Sequence, residues 1–98
     1  MKDITIGFVL KELRKLSGLT QKELAKNLNF SQSFISKIER EQTEPTVKII
    51  DQYANFFCVD ADILIAFRKC ENKDALIKNI KKLLYRTVLE QLDQAIRW

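Results

Sequence analysis

Apolar residues recur along this chain at three- and four-residue steps, the period of helices buried along one side. Val9, Leu13 and Leu16, widened by Leu10, predict a first helix over residues 6–17, and Gly18 supplies the left-handed residue on which helices often end. Leu24, Ala25 and Leu28 mark a short second helix, and Ile35 and Ile38 a third that ends near Arg40. Residues 41–45 form a polar loop. Val47, Ile50, Ala54 and Phe57 then face inward from a fourth helix, and residues 61–67 form a short fifth. Residues 69–73 read as a linker. A long sixth helix runs from Asp74 to near Trp98, with Leu76, Ile77, Ile80, Leu83, Leu84, Val88, Leu92, Ala95 and Ile96 forming a wide apolar band.

The helix boundaries are written in side-chain chemistry. Thr20-Gln21-Lys22-Glu23 is a capping box, in which the Thr20 hydroxyl takes the Glu23 amide and Glu23 reaches back to the Thr20 amide. Leu19 and Leu24 occupy the two positions of a hydrophobic staple, and Phe30 and Ile35 repeat it around the next cap, Ser31. Thr46 and Asp60 cap the fourth and fifth helices. Only Asn29 and Phe30 separate the second helix from Ser31, so two short helices must cross sharply, which is a helix-turn-helix.

Composition supports an all-α chain. Two Gly and one Pro in 98 residues are few for a turn-rich β fold. No apolar run reaches a membrane span, and the start of the chain lacks the apolar stretch of a signal peptide, so a cytoplasmic protein is expected. Cys58 and Cys70 are then reduced thiols, with Cys58 expected to be small and buried. With no His, a zinc site or a general base is not expected, no glycine loop cradles phosphate, and neither enzyme activity nor a cofactor is foreseen. The net charge of +4 fits a polyanionic partner.

Residues 20–40, from Thr20-Gln21-Lys22-Glu23-Leu24-Ala25 through Ser31-Gln32-Ser33-Phe34-Ile35-Ser36-Lys37-Ile38-Glu39-Arg40, resemble the phage lambda repressor and Cro family, also called the Xre family. The likeness covers residues 6–67, including Arg14, Gly18-Leu19-Thr20-Gln21 and Pro45-Thr46. It implies a five-helix DNA-binding domain over residues 1–68; residues 69–98 lie outside the resemblance and are read from their own apolar period as an additional helical extension for dimerisation. The family usually carries Gly where this chain has Glu41 and Cys58. If those positions keep positive φ, each costs roughly 1 kcal/mol.

At about 100° per residue, Gln32, Ser33, Ser36, Lys37 and Arg40 share one face of the third helix, opposite Ile35, Ile38 and Glu39. Gln pairs with adenine, Lys with guanine, and Ser with donors or acceptors, so Gln32, Ser33, Lys37 and Ser36 are the expected base readers. The resemblance implies that Gln21 binds a DNA phosphate and braces Gln32. Lys22, Arg40, Gln42, Thr43 and Thr46 are further expected phosphate contacts. It also pairs Arg14 with Glu39 as a structural ion pair joining the first and third helices. Phe34 borders core and reading face, and packing is its expected role.

One small module buries little DNA surface, which favours a dimer on a palindromic operator. The sixth helix is the expected dimer surface through Ile77, Ile80, Leu84, Val88 and Leu92, and is expected also to rest on Ile63, Leu64 and Phe67. Lys78, Lys81, Lys82 and Arg86 face DNA, an acidic partner or water. The main expectation is a dimeric transcriptional regulator, most simply a repressor of double-stranded DNA sites. The alternative is an antitoxin-type module whose last helix binds a partner protein while the first domain autoregulates.

Overall fold

The computed structural model describes residues 4–96. Among these residues are six α-helices, α1 (Ile6–Leu16), α2 (Gln21–Leu28), α3 (Gln32–Glu39), α4 (Val47–Phe57), α5 (Ala61–Ala66) and α6 (Lys73–Ile96), with a 3-10 turn at Phe67–Lys69. Among the described residues there is no strand. The expected end of the last helix at Arg97 and Trp98 lies outside the described residues.

The caps form as the sequence directs. Thr5, Thr20, Ser31 and Thr46 each accept the amide of the third residue of the helix that follows, at 3.1, 3.0, 3.1 and 3.3 Å. Glu23 completes the capping box by accepting the Thr20 amide at 3.0 Å. That contact, then the one from the Thr20 side chain, holds the exposed Glu23 carboxyl below its ordinary range.

The first four helices end in the same way. Leu19, Phe30, Gln42 and Val59 send their amides back to Arg14, Ala25, Lys37 and Ala54 respectively, closing Schellman motifs. The left-handed residue in each is Gly18, Asn29, Glu41 or Cys58, at φ 76°, 59°, 63° and 57°. Glu41 and Cys58 therefore keep the conformation usually given to glycine. The position also turns the side chain outward, so Cys58 is exposed and not the buried thiol expected from its size. Glu41 gains a partner there, accepting a hydrogen bond from the Thr5 hydroxyl.

Val9, Leu10, Leu13, Leu24, Ile35, Ile38, Tyr53, Leu64, Leu76 and Ile80 are fully buried and form the centre of a single core. Gly7 is where α1 meets the end of α3. A Cβ at that position would lie 2.4 Å from the Ile38 carbonyl oxygen, so only glycine allows this approach. Val47 corrects the expected pattern of α4: as the first residue of the helix it points into solvent, while Ile50, Tyr53, Ala54 and Phe57 are buried.

The start of α6 belongs to this same core. Asn72 caps it through the Ala75 amide at 2.8 Å, Lys73 lies over the Phe8 ring at 4.5 Å, and Leu76, Ile80 and Leu83 are buried. The helix lies chiefly along α1, and its buried residues join the same core as Leu64, with Ile63 and Phe67 packed against it. Ile80 is therefore removed from the expected dimer surface, because α1 and its neighbours already cover it. Ile77 and Leu84 are half-covered, whereas Val88 and Leu92 are exposed.

Candidate nucleic-acid interface

The sharp turn between α2 and α3 is made by Asn29 in the left-handed region, followed by Phe30 and the Ser31 cap. Phe30 meets Phe34 edge-on with ring centroids 5.2 Å apart, which gives Phe34 a packing role. Ile35, Ile38 and Glu39 anchor α3 on its buried side. Its other side is open.

Gln21, Gln32, Ser33, Ser36, Lys37, Arg40 and Gln42 line one polar concavity of about 400 Å³ on that open side. All four residues expected to read bases are in it, together with three of those expected to hold phosphate. Gln32, Ser33, Lys37, Arg40 and Gln42 are exposed, whereas Ser36 and Gln21 are partly covered. The remaining three lie elsewhere. Lys22 projects into solvent from the first turn of α2. Thr46 is exposed, with its hydroxyl engaged in capping α4. Thr43 lines a different hollow, with Thr5, Glu41, Glu44 and Arg68.

A charged linkage beneath the concavity fixes α3 to the domain. Arg14 donates from Nε to Glu39 Oε2 at 2.6 Å and from Nη2 to Oε1 at 2.9 Å. Its third nitrogen, Nη1, donates to the Leu19 carbonyl at 2.7 Å. Glu39 is 6% exposed, so its charge is held almost out of water and depends on these donors. The two-pronged contact joins α1, the turn after it, and α3.

Gln21 supplies a further donor to Glu39, from Nε2 to Oε1 at 3.0 Å. This differs from the bracing of Gln32 that the resemblance implied. An ionised carboxylate is a stronger acceptor than a neutral amide, and Glu39 takes the Gln21 N–H. The buried Tyr53 feels the charges of this linkage without a hydrogen bond to it. Burial pushes the Tyr53 hydroxyl far above its ordinary range, the Glu39 charge adds to the shift, and Arg14 opposes it.

Sequence reasoning did not find Gly7 or the Glu39–Gln21 contact. Gly7 stands between Ile6 and Phe8 in an apolar helical run, where nothing local marks a close approach to another helix. The contact joins residues 18 positions apart and needed the helix crossing to be known.

A capped helix pair with an exposed polar edge on a buried base defines a helix-turn-helix DNA-binding module. The chain belongs to the family of lambda-repressor-like, Xre-type helix-turn-helix proteins: the family model described as Helix-turn-helix matches residues 10–64. Among its relatives is the HTH-type transcriptional regulator ImmR of Bacillus subtilis (strain 168), 32% identical over 92 residues, or 93% of this chain and 68% of ImmR. The immunity repressor protein of Bacillus phage phi105 is 29% identical over 62 residues, 63% of this chain and 43% of the repressor. The uncharacterized HTH-type transcriptional regulator MJ0272 of Methanocaldococcus jannaschii is 36% identical over 62 residues, 63% of this chain and 94% of that protein. The chain thus spans less than half the length of the phage repressor. No solved structure matches it well enough to add to these likenesses. Among the described residues, no helix is long and apolar enough to cross a membrane.

Proposed function

We propose that this protein is a sequence-specific transcriptional regulator that represses as a dimer on a palindromic operator. α3 enters the major groove, where Gln32, Ser33 and Lys37 read base edges and Ser36 assists from the partly covered side. Gln21, Lys22, Arg40, Gln42, Thr43 and Thr46 hold the phosphates that flank the groove. Residues 1–68 carry this activity, residues 69–98 extend it toward a second copy, and the protein works in the cytoplasm on duplex DNA. No catalytic role is assigned.

The observation that carries the reading is the single concavity lined by Gln21, Gln32, Ser33, Ser36, Lys37, Arg40 and Gln42. Short and flexible polar groups of α3 stand there beside Gln21 and Gln42, and the helix that carries most of them is held on its opposite side through Glu39, so the backbone from which they reach is fixed before DNA arrives. Relatives named as transcriptional regulators and as an immunity repressor support the same reading.

The test is a mobility-shift titration on DNA flanking the protein's own gene, followed by footprinting of the shifted complex. Two protected half-sites are expected, with centres about 34 Å apart, one turn of B-DNA. Affinity should fall steeply with added salt, because released counterions accompany each phosphate contact. Equal binding to every duplex, with no protected site, overturns the assignment of sequence-specific recognition.

A further inference from the structure

We infer that the far half of α6, residues 85–96, pairs in antiparallel fashion with the same segment of a second copy of this chain. The inference rests on the dimeric reading above and gives the second copy its place and direction.

Tyr85, Val88, Leu89, Leu92 and Ile96 are between 48% and 79% exposed. At about 100° per residue they fall within a stripe of about 100° along the helix. Leu76, Ile80 and Leu83, which attach α6 to its own core, project on the opposite side of the helix. Thr87, partly covered, continues that attached side. The stripe therefore faces away from the chain's own body.

Tyr85, Leu89, Leu92 and Ile96 also stand at the alternating four- and three-residue steps of a two-helix seam. One heptad upstream of Tyr85 and Leu89 the equivalent positions carry Lys78 and Lys82, so the apolar seam begins at Tyr85.

The flanks of the seam distinguish the direction of pairing. Antiparallel pairing that sets Tyr85 opposite Ile96 also sets Leu89 opposite Leu92, so every seam position meets an apolar partner. It brings Arg86 of one copy beside Asp93 of the other on one flank, twice by symmetry. The other flank joins Val88 to Ala95. Asp93 already has an interaction of its own, so the contact to Arg86 of the second copy would be made beside it or in competition with it, at the modest worth of an exposed ion pair. Parallel pairing would set Arg86 beside Lys81 and Val88 beside Asp93. The sequence is thus self-complementary in one direction and mismatched in the other.

The seam is about 18 Å long and about 10 Å wide, taken from helix dimensions. That falls short of the roughly 800 Å² per partner of a standard stable interface. The dimer should therefore form reversibly with concentration, and operator DNA should draw the two copies together.

Sedimentation equilibrium of the full chain should show monomer and dimer exchanging with concentration. Leu89→Asp combined with Leu92→Asp should shift the protein to monomer with an unchanged helical spectrum, since both side chains already meet water. The same variant should bind one half-site as the parent does and lose the cooperative shift on the palindrome. For direction, Tyr85→Cys and Ile96→Cys are each made in a Cys58→Ser, Cys70→Ser background. Mixed and oxidised, the two should cross-link to each other, while neither should cross-link to itself. Self-cross-linking of each alone shows parallel pairing and overturns the inference. A parent that stays monomeric at every concentration, including one that instead binds a different protein through this stripe, overturns it too. Should the chain dimerise through this seam but bind no DNA, the regulator reading fails and the seam stands.

Discussion

α3 and the far half of α6 both offer side chains to solvent, but on different foundations. The polar edge of α3 stands over Ile35, Ile38 and Glu39, and Glu39 is gripped by Arg14 and Gln21. Both ends of α3 are fixed, by the Ser31 cap and by the left-handed turn at Glu41. The exposed stripe of α6 has its own helix as its main support, because the attached side ends near Leu83 and Thr87. The difference teaches that exposure has two meanings here. On α3 a helix fixed from beneath presents polar groups to water. On α6 an apolar stripe is left exposed, which is the surface the proposed second copy would bury.

That contrast can be broken most severely from beneath α3. Glu39→Ala would leave the largely buried Arg14 charge without its carboxylate, and thermal or urea unfolding should register a loss of about 3–5 kcal/mol. A loss no larger than that of a surface substitution would show that α3 is not held by this linkage. DNA binding in this variant should fail because the module loosens, so binding alone does not diagnose a lost base contact.

A smaller effect, felt at the DNA and not in the fold, is expected from Gln32→Ala. Its side chain is exposed, so unfolding should be nearly unchanged. The difference in affinity between operator and altered duplexes should shrink by about 1–3 kcal/mol if Gln32 makes a paired contact to one base. Unaltered selectivity in base-substitution titrations would remove Gln32 from the reading set.

The left-handed turns allow a finer test. Cys58→Gly should raise stability by about 1 kcal/mol, since Cys58 is exposed and its φ of 57° suits glycine. Calorimetry that finds the variant weaker would mean that the Cys58 side chain makes a stabilising contact.

The smallest expected effect is at the start of α2. Glu23 has its carboxyl held below the ordinary value of 4.5, so its contribution is complete above that pH and is lost as pH falls through the lower folded value. Acid titration of the parent and of Glu23→Gln should therefore converge at low pH. A gap that persists after full protonation would assign the role of Glu23 to something other than its charge.

The starts of α2, α3 and α4 were legible because local chemistry decides them, whereas the Thr5 cap of α1 was not identified. Thr20, Glu23, Ser31 and Thr46 act on amides three residues away, and the sequence displays both partners. The polar edge of α3 was legible for the same reason, since helical period alone puts Gln32, Ser33, Ser36, Lys37 and Arg40 together. What escaped depended on contacts between distant segments. Gly7 is explained only by the Ile38 carbonyl beside it. The linker expected over residues 69–73 instead contains part of a 3-10 turn, the Asn72 cap and the first residue of α6. The apolar band of α6 read as one surface because its residues wind round much of the helix. Once α1 covers Leu76, Ile80 and Leu83, the band divides into an attached side and a free stripe, and Tyr85 and Leu89 join the latter.

The central claim, that the open edge of α3 meets duplex DNA, is tested most directly by following backbone amide resonances while operator duplex is added. The largest shifts should gather at Gln21, along α3 from Gln32 to Arg40, and at Gln42, with α6 changing mainly through residues 85–96 as the second copy joins. Shifts that spare α3, or that centre on the Lys78, Lys81 and Lys82 face, would contradict the account.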